Sequence, residues 1–162
     1  MRHKLAVALV IASSVCTTCT AVAAEEAQAA TFSLSNATTA QAATVLRTIV
    51  GIKDLKFGDD HTITVRDTRE KVELAEAVVK LLDAADDAVD TTPLPAGDGS
   101  VIVAVVLNHA SSGEVILALQ KELQFARSAG AGEKRVILRD TDSQVMKALK
   151  VIERLERSHA SS

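Results

Sequence analysis

The chain predicts an α+β protein built as two tandem βαββα modules, each a three-stranded sheet with two helices on one face. Three observations lead there. The sequence matches itself, without a gap, at an offset of 73 residues. Within each copy the apolar spacing changes from a period of 2 to one near 3.6 and back in the same order. The composition, 48% hydrophobic and 24% charged, is that of a chain able to bury a core.

The repeat is read from paired residues. At the offset, Leu34 meets Leu107, Ala37 meets Ala110, Leu46 meets Leu119, and Arg66-Asp67-Thr68 meets Arg139-Asp140-Thr141. The register continues through Val72 and Val145, Ala75 and Ala148, Val78 and Val151, and Leu82 and Leu155. Apolar pairs such as Ile52 with Phe125, Ile63 with Val136 and Val65 with Leu138 fill the gaps. The matched positions are mostly those a fold needs buried, which is the mark of a duplicated unit.

Each copy opens with a strand, Phe32 and Leu34 alternating with serines in the first and the more apolar Val101 to Leu107 in the second. Asn36 to Thr39 and His109 to Ser112 supply hydroxyls to cap a following helix. The helix then buries Ala42, Val45, Leu46, Ile49 and Val50 in copy one, and Val115, Ile116, Leu119 and Leu123 in copy two. Leu55 and Phe57 predict a second strand, turned by Gly58-Asp59-Asp60-His61 into a third that carries Ile63 and Val65. In copy two the third strand carries Val136 and Leu138, while Ala126 to Gly132 is a weak second strand with a glycine-rich turn. Asp67 and Asp140 are expected to cap a closing helix, with Glu70 at the capping-box position in the first copy only. Its buried stripe is Val72, Ala75, Val78, Val79 and Leu82.

The modules are expected over residues 31–85 and 100–158. Residues 86–99, with both prolines, two glycines and four aspartates, read as a linker. A unit of about 55 residues buries only about 60% of its surface and is marginal alone, so the copies are expected to pack on each other or on a partner.

Residues 1–24 read as a cleaved export signal. Met1-Arg2-His3-Lys4 is a basic start, Leu5 to Ala12 an apolar run, and Ala21-Val22-Ala23 a small-x-small cleavage site. The apolar run is far short of the roughly 20 residues that span a bilayer. A lipoprotein is the alternative, with Cys16 or Cys19 as the lipidated residue, although neither follows a good lipidation sequence. These are the only two cysteines, so the processed chain would hold no disulfide and no thiolate.

The composition bears on function mainly by exclusion. Loss of Arg2 and Lys4 leaves 16 basic and 21 acidic groups, a net charge of −5. That is the wrong sign for nucleic acid. Tryptophan and tyrosine are absent, which weighs against stacking on bases or sugars. His61, His109 and His159 stand in two turns and the tail, without partners at ligand spacing. Neither Asp59-Asp60 nor Asp86-Asp87 continues into a calcium loop, and Ala129 to Glu133 lacks the lysine-serine ending of a phosphate cradle. No catalytic residue, metal or cofactor is expected. The repeated Arg66-Asp67 and Arg139-Asp140 are the candidate interaction residues, against the plainer reading of a capping acid beside an exposed arginine.

Phe32-Ser-Leu-Ser-Asn-Ala, Ile63-Thr-Val-Arg-Asp-Thr and Leu74-Ala-Glu-Ala-Val-Val-Lys-Leu-Leu-Asp83 resemble the N-terminal repeat domains of bacterial secretins, which form ring-shaped outer-membrane channels. The likeness spans about 55 residues of the first copy and, more faintly, the same span of the second. It departs where Asp60-His61-Thr62 stands in place of the family's asparagine, and Asp67 in place of its commoner glycine. No long amphipathic β-rich segment follows Ser158, so the chain is not expected to be a pore. The resemblance implies a periplasmic docking or ring-building module, in which the helices of one copy pack on the sheet of a neighbour. The expected partners are envelope proteins or the chain itself, in the periplasm or, where the source has no outer membrane, outside the cell. The alternative is a soluble binder holding a small ligand between its modules.

Overall fold

The computed structural model describes residues 27–85 and 92–161. The expected export signal and residues 86–91 of the expected linker lie outside them. The first module runs β1 (Gln28–Ser33), α1 (Thr39–Val45) with a π-helical continuation (Leu46–Val50), β2 (Asp54–Phe57), β3 (Thr62–Asp67) and α2 (Arg69–Asp83). The second is β4 (Leu94–Pro95), β5 (Val101–Val106), α3 (Ser112–Leu123), β6 (Ser128–Gly130), β7 (Arg135–Asp140) and α4 (Asp142–Ala160). Both sheets are antiparallel, in the orders β1-β3-β2 and β4-β5-β7-β6.

The duplication extends to individual hydrogen bonds. The Leu34 N–H donates to the His61 carbonyl at 2.7 Å, and its counterpart Leu107 donates to Lys134 at 2.7 Å. Thr38 and Gln41 close a capping box on α1, and Ser111 and Glu114 close the matching one on α3. Each first helix then ends on a left-handed residue, Gly51 (φ 82°) in one copy and Gln124 (φ 52°) in the other. Only glycine takes that conformation without a Cβ penalty. Gln124→Gly is therefore expected to stabilise the protein by up to about 1 kcal/mol, read as a raised thermal midpoint.

Two expectations are corrected. Thr68 and Thr141, rather than Asp67 and Asp140, take the N-cap positions of the closing helices, neither with a side-chain capping hydrogen bond, and Glu70 therefore does not stand at a capping-box position. Each aspartate instead accepts the N–H of the threonine after it, at 2.9 and 2.7 Å. The linker expected over 86–99 is not linker throughout, because Leu94–Pro95 pairs with Val101 and Ile102 and makes the second sheet four-stranded. The second strand expected from Leu55 and Phe57 forms as β2, with Phe57 54% exposed at its end.

The modules pack into one four-layer stack: first sheet, first helix pair, second sheet, second helix pair. Val103, Val136 and Leu138 point from the second sheet to α3 and α4. Ile102, Ala104, Ala129 and Ile137 point the other way, into a core shared with Ala43, Leu46, Val50 and Leu81 of the first module. The second sheet is thus buried on both faces, which is why β5 reads Val-Ile-Val-Ala-Val-Val rather than alternating. The first sheet buries one face only and keeps Thr31 and Arg66 outward.

Candidate functional site

The surfaces left open are defined by what the interior has already used. Two arginines of β7 lie on the face turned to the first module, and both are buried. Arg135 donates to the carbonyls of Leu81 (2.9 Å), Leu82 (2.7 Å) and Ala84 (2.8 Å), at the C-terminus of α2. Arg139 donates to the Ile49 carbonyl (2.7 Å), near the end of the first helix. Each places a cation where a helix leaves its last carbonyls unbonded. Arg139 also bonds Ser100 Oγ and Asp98 at 2.9 Å each. The Ser100 hydroxyl, more than offsetting the small effect of burial, and the Arg139 guanidinium hold the Asp98 carboxyl far below its usual range.

The four candidate interaction residues therefore separate. Arg139 is 7% exposed and committed to the contact between modules. Its repeat partner Arg66 stands exposed on the open face of the first sheet. Asp67 is half-buried and pairs with Lys71 at 3.1 Å. Asp140 holds the turn into α4.

A second pair of residues, missed in the sequence, braces each module internally. The Asp83 carboxylate accepts N–H groups from Ser35 (2.8 Å), Asn36 (2.7 Å) and Ala37 (2.9 Å) in the turn before α1. Glu156, 73 positions on, accepts those of Asn108 (2.9 Å), His109 (3.0 Å) and Ala110 (2.8 Å). Burial acts to raise both carboxyl groups. The three backbone donors outweigh it and hold each below its ordinary value, with help from Arg135 at Asp83. The signal was an acid at matched positions, 83 and 156, of the two closing helices.

Among the described residues, no three His, Cys, Asp or Glu side chains gather as a metal requires. The glycine-rich Ala129 to Glu133 turns carbonyls, not N–H groups, toward α3: Gly132 accepts from Ser112 Oγ and Glu133 from the Ser112 N–H, both at 2.7 Å. No described helix is long and apolar enough to cross a membrane.

Three surface features remain. A shallow polar cleft of about 380 Å³ sits at the rim between the modules, beside Gln41, Glu133 and Lys134. The outer side of α4 carries Lys150, Arg154 and Arg157, of which the arginines pair with Glu122 and Glu153. The outer edge of β1 faces a groove of about 450 Å³ walled by Glu76, Val79 and Lys80 of α2. No protein-family model matches the chain, and neither do the curated proteins nor the solved structures compared with it.

Proposed function

We propose that the protein is an exported, non-catalytic interaction module of the periplasm, related to secretin N-terminal domains and accessory to an envelope assembly such as a secretion or pilus system. One observation carries this reading: the helices of the first copy lie on the sheet of the second. That is the packing by which the resemblance implies such domains associate. Here the contact is used up inside one chain. The stack then ends on a sheet face bearing Thr31, Thr64 and Arg66 and on helices bearing Lys150, Arg154 and Arg157. Terminal repeats with polar outer faces stop further apolar stacking and leave surfaces suited to reversible docking.

The test is to tag the C-terminus, crosslink intact cells and identify what co-purifies. Recovery of secretion, pilus or other envelope-assembly components is expected. A protein that captures no envelope component and stays monomeric when concentrated overturns the reading.

The polar cleft beside Gln41 and Lys134 favours a second reading, a binder of small polar ligands. A ligand that fills the cleft must raise the thermal midpoint, so a thermal-shift screen separates the two.

A further inference from the structure

The two modules differ in how they treat the same strand edge. In the second, the outer side of β5 is partly covered by the chain's own β4. Leu94 lies opposite Ile102, and the Ala96 N–H donates to the Ser100 carbonyl at 2.9 Å. In the first, the equivalent edge is β1, and among the described residues nothing pairs with its outer side. Gln28-Ala-Ala-Thr-Phe-Ser33 is also without charge or proline, the devices that usually blunt an edge.

The backbone groups on that edge can be identified. Leu34 directs its N–H to His61 on the β3 side, and antiparallel strands alternate in this respect. Phe32, Ala30 and Gln28 therefore bond to β3, while Ala29, Thr31 and Ser33 turn three N–H and three C=O groups outward. On the inner face of the sheet, Ala30 and Phe32 open onto the groove beside Val79 and Lys80.

We propose that this edge is the contact for a second copy of the chain, paired antiparallel about a two-fold axis at Thr31. The proposal rests on the interaction-module reading and names a partner and a site for it. Among two-fold registers, the one centred on Thr31 sets Thr31 against Thr31 and Ala29 against Ser33, and so uses all six outward groups. A two-fold at Ala30 or Phe32 leaves two residues unmatched. The same register sets Ala30 of each copy against Phe32 of the other, small against large, over the groove beside α2. A second copy thus supplies a donor for every outward acceptor and sets Phe32 against Ala30, with no charge on the strand itself to bury and the groove's Glu76 and Lys80 already paired with each other. The result is a continuous six-stranded sheet with an isologous contact. A contact this small lies at the weak end of the range for specific interfaces, so a dissociation constant between about 10 μM and 1 mM is expected.

Sedimentation of the full chain, as the cell processes it, tests this across that range. Thr31→Pro removes the central N–H from each copy but takes no hydrogen bond from β3, because that N–H points outward. Dimerisation is expected to weaken by about 10-fold or more. Thr31→Val, which loses the hydroxyl bonded to Thr64 but keeps the N–H, is expected to dimerise as the parent does. Thr31→Lys places two ammonium groups across the axis and is expected to weaken the dimer in low salt and less so in high salt. Circular dichroism checks that each variant is folded. A parent that remains monomeric at about 1 mM overturns the proposal, as does a dimer that Thr31→Pro leaves unchanged. Envelope partners captured by a protein that is monomeric when purified would sink the dimer and leave the interaction-module reading standing.

Discussion

Replacing Arg135 with alanine is expected to destabilise the protein by about 3 kcal/mol or more, since hydrogen bonds to a charged group contribute about 1.5 to 3 kcal/mol each and a buried acceptor left unmatched costs about 1 to 3. The side chain is 4% exposed and donates to three carbonyls at the end of α2. Its loss strands those acceptors at the contact between modules, on the inner wall of the polar cleft that Leu82, Ala84 and Arg135 help to line. Arg135→Met keeps most of the apolar stem and is expected to recover part of the loss, but not the part due to unsatisfied carbonyls. Urea denaturation measures both. The parent is expected to unfold in one transition because the modules share a core. A loss below about 1 kcal/mol would mean that water from the cleft beside Lys134 replaces the guanidinium, and that the arginine does not tie the modules together.

Asp83→Ala is expected to cost about 2 to 3 kcal/mol, since it deprives the turn before α1 of an acceptor for three N–H groups. Asp83→Asn keeps an acceptor oxygen but not its charge and is expected to cost about half as much. The same geometry predicts a pH dependence. Asp83 and Glu156 lie below their ordinary values of 3.8 and 4.5 in the folded protein. At acid pH the unfolded chain therefore takes up protons before the folded one does. Their contribution is complete above about pH 5 and is lost as the pH falls through the ordinary values toward the folded ones. The thermal midpoint should be flat from neutral pH to about 5 and fall below that, less steeply in Asp83→Asn. An equal slope in the variant would place the acid sensitivity in other carboxylates.

Much of the fold was legible because local and tertiary forces agree on it. Ala42, Val45, Leu46, Ile49 and Val50 form a helical stripe in the sequence, and all five are buried. Ile63 and Val65 alternate with polar residues and point inward, as a half-buried strand requires. The candidate site was less legible. Arg135, Ile137 and Arg139 share one strand face, and arginines on alternate positions ordinarily mark a face toward water. The facing helix ends reverse that, because their carbonyls need donors that no apolar side chain can supply.

The sequence by itself determined the duplication, the βαββα order of each copy apart from the added β4, and most of the apolar residues each copy buries. These depend on periodicity and capping, which act over a few neighbouring positions. Only the tertiary structure decided that the copies stack helix on sheet, that Arg139 lies inside while Arg66 lies outside, that Asp83 and Glu156 hold turns some 47 residues away, and that the edge of β1 stands open while part of the β5 edge is covered. Arg66 and Arg139 are the same residue at the same place in a repeat. What separates them is whether another module lies against the sheet face they share, and no local pattern carries that.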